Sequence, residues 1–177
     1  REGTQRFRSC PSGLGRKMER IYIIGSVASG KSTLARRLSR RTGVRAYELD
    51  QVVYSRLPKK RKRTPAEQQA LLDKIDAVGP WIIEGTYRRS CHCVLERAER
   101  IIFLDTPLAI RRRRILTRFL KQRLKLERCH YTPTFRMLRN MYAWTRSFER
   151  GRPELMAMLA RYQDKVRIIH DPRELER

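Results

Sequence analysis

The sequence predicts an α/β protein built as a three-layer, doubly wound parallel sheet of five strands with helices on both faces. Three observations predict it. The segment Gly25-Ser26-Val27-Ala28-Ser29-Gly30-Lys31-Ser32 lies between a short apolar run and a stretch of helical spacing. Further short apolar runs, several ending on a carboxylate, alternate with helical stretches after it. The length, 177 residues, suits one domain with a sizeable core.

Taken in order, Ile21-Tyr22-Ile23-Ile24 reads as a buried parallel strand and the glycine-rich segment fits G-x-x-x-x-G-K-[ST] without a departure. Strand, turn and helix in that order form a phosphate cradle, a P-loop. Its backbone N–H groups converge, and the helix N-terminus adds about half a positive charge. Gly25, Ser26, Ala28, Ser29, Gly30, Lys31, Ser32 and Thr33 are therefore expected to bind ATP, with Lys31 on the β- and γ-phosphates and the Ser32 hydroxyl on Mg²⁺. The helix runs to about Arg41 and stops at Thr42-Gly43. Val44 to Leu49 reads as a second strand ending in Asp50, which lies beside the ligand crevice of such a sheet; Asp50 could bind a substrate hydroxyl or a metal-bound water, or be merely solvated.

Residues 55–64, with Lys59-Lys60-Arg61-Lys62-Arg63, cannot bury themselves and are expected as a solvated basic loop. Thr64-Pro65-Ala66-Glu67 opens a helix with a cap, a first-turn proline and a capping glutamate, and Leu71, Leu72, Ile75 and Val78 are expected inward. Trp81 to Gly85 and Arg100 to Asp105 read as the third and fourth strands, so Glu84 and Asp105 both lie where an acid would orient a water on Mg²⁺. Gly85 allows a close turn and Tyr87-Arg88-Arg89 brings cations to the same rim, which favours Glu84.

A helix is expected from Pro107 to about Glu127, with Arg111, Arg114 and Arg118 along one edge. Guanidinium forks at that spacing suit phosphate oxygens during phosphoryl transfer, and a solvated basic face is the alternative. Thr132-Pro133 opens the next helix, whose aromatic stripe, including Phe135, Trp144 and Phe148, is expected in the core. Pro153 is expected to begin a separate helix, followed by a fifth strand over Lys165 to Ile169 and a terminal helical stub at Asp171-Pro172.

Composition bounds the partners. With 42 Lys and Arg against 18 Asp and Glu, the formal net charge is +24, which favours loose binding to polyphosphates, nucleic acid or anionic lipid. Cys10, Cys91, Cys93 and Cys129 do not form a disulfide framework, and with His92 and His130 they lack the spacing of a structural zinc site. They are expected as free thiols of a cytoplasmic protein. No apolar run reaches 18 residues, so no membrane span is expected, and residues 1–17 read as a disordered basic tail before a single domain over 18–177.

Ile82-Ile83-Glu84-Gly85-Thr86-Tyr87-Arg88 is similar to the D-G-[FY]-P-R segment of adenylate-kinase-like enzymes, with Glu for Asp and Tyr for Pro. Ile102 to Pro107 followed by Arg114-Ile115-Leu116-Thr117-Arg118 resembles their strand-four and lid-hinge signature. Together with Tyr47-Glu48-Leu49-Asp50 and Met141-Tyr142-Ala143-Trp144, these segments resemble the topology modulation (FlaR-related) proteins, within the nucleotide-kinase branch of P-loop NTPases. The resemblance implies a kinase in which Arg88 meets an acceptor phosphate and Arg114 and Arg118 close on the γ-phosphate. It places Glu84, Tyr87 and Arg88 in the acceptor site and makes 107–150 a lid-like helical region.

Two functions follow, with plain ATP hydrolysis without an acceptor as a third possibility. The first is Mg-ATP-dependent phosphoryl transfer to a nucleoside, nucleotide or other small hydroxyl acceptor, with Lys31, Asp50, Arg114 and Arg118 catalytic and Ser32 and Glu84 at the metal. The second is an ATP-binding, nucleic-acid-associated protein without acceptor kinase activity, for which the charge predicts salt-sensitive, nonspecific binding.

Overall fold

Apolar runs with no polar face must be covered on both sides, and the chain meets that demand with one central sheet. The computed structural model describes residues 19–55, 61–124, 126 and 134–175. The first half contains β1 (Ile21–Gly25), α1 (Lys31–Thr42), β2 (Ala46–Glu48), α2 (Leu49–Val53), β3 (Tyr54–Ser55), β4 (Arg61–Lys62) and α3 (Pro65–Ala77). The second half contains β5 (Ile82–Gly85), α4 (Cys93–Arg97), β6 (Arg100–Leu104), α5 (Leu108–Arg123), α6 (Phe135–Leu159) and β7 (Val166–Ile169). Short 3₁₀ turns occur at Arg89–Cys91, Ala160–Tyr162 and Pro172–Leu175.

Five strands form an all-parallel sheet in the order β2-β5-β1-β6-β7, the doubly wound α/β arrangement that the sequence predicts. Alternation along β1 sends Tyr22 and Ile24 to one face and Ile21 and Ile23 to the other. On the first face they meet Leu49 and Val52 of α2, Leu72 of α3, Val94 and Leu95 of α4, and Leu155 and Leu159 of α6. On the second they meet Leu34 and Leu38 of α1, with Leu175 closing the layer. Because β1 is central, the turn that follows it opens at the middle of the sheet's carboxyl edge, between β5 and β6.

Several expectations are corrected in detail. β2 is shorter than expected, and Leu49 and Asp50 start α2 instead of ending the strand. The basic segment is not all loop: Ser55 pairs with Arg61 and Tyr54 with Lys62 in an antiparallel ladder, while 56–60 lie outside the described residues. Val78, expected inward, is 78% exposed because α3 ends at Ala77 and the chain turns there. Pro153 does not begin a helix; α6 runs through it, held from within the fold by its buried Leu155 and Leu159. The aromatic stripe is only partly core, since Phe135 is 68% and Trp144 is 51% exposed. Residues 1–17, Cys129 and His130 lie outside the described residues; Cys91 and Cys93 are free thiols.

Candidate nucleotide-binding and phosphoryl-transfer site

The loop after β1 has the backbone of an anion cradle. Gly30 is the N-cap of α1 at φ 105°, a left-handed conformation that glycine adopts without a Cβ penalty, and Ala28 is held at φ 58°. The Ser26 and Ser29 side-chain oxygens are buried with no hydrogen-bond partner. No acid lies in the first turn of α1, so the helix N-terminus keeps its positive end open for an anion. Across the loop, Lys31 Nζ donates to the Ser26 carbonyl at 2.7 Å. Ser32 Oγ donates to Glu84 Oε1 at 2.5 Å.

The two charges at this site are linked. Burial lowers the pKa of the Lys31 ammonium, and Glu84 and Asp50 act in the opposite direction. Burial raises the pKa of Glu84, opposed by Lys31 and by the Ser32 hydrogen bond. Each charge therefore favours the ionised form of the other. Hard oxygen ligands from a hydroxyl and a carboxylate, beside an ammonium and unpartnered loop groups, fit a magnesium nucleotide.

α5 brings arginines to the other side of the loop. Arg114 Nη1 donates to the Ser29 carbonyl at 2.8 Å, and the buried Thr106 hydroxyl donates to the same oxygen at 3.0 Å. Arg114 and the exposed Arg118 border, with Gly30, Arg113 and Thr117, an open cleft of about 590 Å³. Arg111 does not join them. It is 2% exposed, pairs with Glu149 of α6, donates from Nε to the Thr106 carbonyl at 2.8 Å and lies 5.7 Å from the Phe148 ring centre. Its expected place on the arginine edge is thus corrected: Arg111 joins the two helices, because the turn from 111 to 114 carries the latter around toward the loop.

On the β5 side, α2 sits so close to the strand end that a Cβ on Gly85 would come within 2.6 Å of Leu49 Cβ. That seating brings Asp50 close enough to influence Glu84 and Lys31. Asp50 accepts from Arg88 at 2.8 Å, and the Arg88 guanidinium lies 5.5 Å from the Tyr54 ring centre, with its Nε buried and unpartnered. The Tyr87 hydroxyl bonds His92 Nδ1 at 3.0 Å, and Tyr162 bonds the other ring nitrogen at 3.1 Å, so Tyr87 belongs to a packed chain of rings at the edge of the core. Thr33 is exposed on the first turn of α1.

The two candidate acids part here. Glu84 meets Ser32, whereas Asp105 accepts both Nε (3.1 Å) and Nη2 (2.5 Å) of Arg152 from α6. The Arg152 hydrogen bond is the main cause that holds the Asp105 carboxyl below its usual pKa. Sequence reasoning missed Thr106, Glu149 and Arg152 as supports of this rim. Their partners are 77, 38 and 47 residues away, so no local pattern announces them.

Central parallel strand, phosphate-cradling turn and Lys31–Ser32–Glu84 cluster together define a P-loop nucleotide-binding protein. The AAA domain family (AAA_18) matches residues 21–130, and the chain belongs to that family. No curated protein matches the sequence. Among solved structures, the chain is similar to a shikimate kinase from Bacteroides thetaiotaomicron at 18% identity and TM-score 0.44, covering 56% of this chain and 64% of that one. It is also similar to an unliganded sugar kinase from Janibacter sp. HTCC2649 at 18% identity and TM-score 0.44, covering 73% and 78%. A gluconokinase from Sinorhizobium meliloti 1021 matches at 17% identity and TM-score 0.43, covering 57% and 65%. The chain thus spans less than two thirds of the shikimate kinase and of the gluconokinase.

Proposed function

We propose that the protein is a small Mg-ATP-dependent phosphotransferase that moves the γ-phosphate of ATP to a nucleoside, a nucleotide or another small hydroxyl acceptor. The observation that carries this reading is the 2.5 Å contact of Ser32 with Glu84 beside Lys31, at the mouth of the anion cradle. Ser32 and Glu84 would hold Mg²⁺. Gly25, Ser26, Ala28, Ser29, Gly30, Lys31, Ser32 and Thr33 would surround the phosphates. When bound, Mg-ATP supplies a phosphoryl group ready for in-line transfer with part of its charge neutralised.

The chain's own residues then divide the work. Lys31, Arg114 and Arg118 neutralise charge on the transferred group, Asp50 orients the acceptor hydroxyl and receives its proton, and Arg88 meets an anionic group on the acceptor beside Glu84 and Tyr87. In this reading residues 107–150 form a lid-like part of one cytoplasmic domain over 18–177. Within the AAA domain family we place the chain with the FlaR-related topology modulation proteins, on the segments around Asp50, Glu84 and Trp144.

The test is transfer from labelled ATP with Mg²⁺ across nucleosides, nucleoside monophosphates and a metabolite pool, with Lys31→Ala alongside. A Lys31-dependent labelled product is expected; ATP-dependent product formation that survives Lys31→Ala would sink the assignment. The second reading, a nucleic-acid-associated ATP-binding protein, is favoured by the +24 charge. ATP binding without transfer to any acceptor would select it.

A further inference from the structure

α5 and α6 hold far more positive charge than the nucleotide site uses. α5 has seven arginines and lysines and no acid; α6 has five arginines and two acids, Glu149 and Glu154. Both acids are engaged, Glu149 with Arg111 and Glu154 with Arg89. The α6 arginines separate by face. Arg152 turns inward to Asp105, whereas Arg136, Arg139, Arg146 and Arg150 are all exposed. At about 100° per residue these four fall in one column on the solvent side of the helix, and at 1.5 Å per residue the column is roughly 21 Å long. None of the four has an ion-pair partner among the described residues. Like charges so aligned repel one another and lower the stability of the free helix, and a bound polyanion removes that cost.

We propose that this α6 column is a docking surface for the phosphodiester backbone of a nucleic-acid duplex. The chemistry of the face selects the partner. Between the arginines lie the exposed Ala143 and Ser147, and the exposed Phe135 at the column's N-terminal end packs its ring against Phe119 beneath the Arg123 guanidinium, so the face has no row of rings to stack on bases and no apolar ridge to enter a lipid layer. Trp144, the other exposed ring of the helix, lies about a third of a turn away from the column. Arg146 and Arg150 also border a cleft of about 400 Å³ that reaches Leu108, a recess next to two guanidinium groups. A rigid row of guanidinium forks, lacking groups that read bases, contacts phosphates without regard to sequence.

The experiment uses the full chain and fluorescein-labelled 30-base-pair DNA and RNA duplexes, with the matching single strands, from 50 to 300 mM KCl. Two variants lower the net charge equally: Arg136→Gln/Arg139→Gln/Arg146→Gln/Arg150→Gln on α6, and Arg40→Glu/Arg41→Glu at the exposed end of α1. The α6 variant is expected to bind duplex at least tenfold more weakly at 100 mM KCl, with the slope of log K against log salt reduced by about 3 for DNA. The α1 variant is expected to change less than threefold, and DNA and RNA duplexes to behave alike. Equal losses in both variants, undiminished binding by the α6 variant, or no duplex binding by the native chain would overturn the proposal. So would a column-dependent preference for single strands, or for phosphatidylserine vesicles at equal charge concentration. Circular dichroism and thermal melting of both variants separate loss of binding from loss of fold.

Discussion

Ser32 and Glu84 are 52 residues apart in the chain and 2.5 Å apart in space, and their contact assigns different work to the two acids at the carboxyl ends of β5 and β6, the strands that flank β1. Glu84→Gln is expected to raise the Mg²⁺ concentration for half-maximal turnover by about 10- to 100-fold, read from a Mg²⁺ titration of the phosphotransferase assay. Asp105 is expected to act on stability instead. Its folded pKa is lowered, so its contribution is present above the ordinary aspartate range near pH 4 and fades as the pH falls through the lower folded value. Arg152→Ala should cost about 1–2 kcal/mol at pH 7, discounted for the partly exposed guanidinium, and should flatten the acid limb of a stability profile measured by urea unfolding between pH 7 and 3. An unchanged acid limb would remove the pair from the account.

At the scale of elements, α3 and α6 show two ways a helix is held. α3 starts with a full capping box, Glu67 N–H to Thr64 Oγ1 at 3.2 Å and Thr64 N–H to Glu67 Oε2 at 2.8 Å, all of it local and written in Thr64-Pro65-Ala66-Glu67. Thr64→Ala is expected to lower stability by about 1 kcal/mol, visible as a shift in the denaturation midpoint at constant m-value. α6 instead tolerates Pro153, which cannot donate to the Glu149 carbonyl, because Leu155 and Leu159 beyond it are buried against the sheet. Pro153→Ala should therefore stabilise the protein, by about 1–2 kcal/mol after the gain in unfolded-chain entropy is subtracted. A destabilised variant would mean that the proline shapes the path of α6 toward Asp105. Local spacing and the missing N–H predict a break at Pro153. The hydrophobic contacts that override it come from β strands elsewhere in the chain.

For the whole molecule, a charge of +24 makes anions part of the stability balance. Melting temperature is expected to rise as KCl goes from 50 to 300 mM. Mg-ATP at 100 times its dissociation constant should add about 2.7 kcal/mol, a gain that Lys31→Ala should largely lose in the same melts. What the sequence alone determined is the nucleotide-binding half of the protein. A β-turn-α phosphate cradle is built from consecutive residues, so Gly25 to Ser32 carries its geometry in its own spacing, and short apolar runs between helices allow little but a parallel sheet. Tertiary structure alone decided the rest. Which acid faces Ser32, why Arg111 turns into the α5–α6 joint while Arg114 reaches the Ser29 carbonyl, and where Arg152 ends all depend on strand order and helix packing. Those contacts join residues dozens of positions apart, and side-chain burial, rather than local spacing, selects between the alternatives.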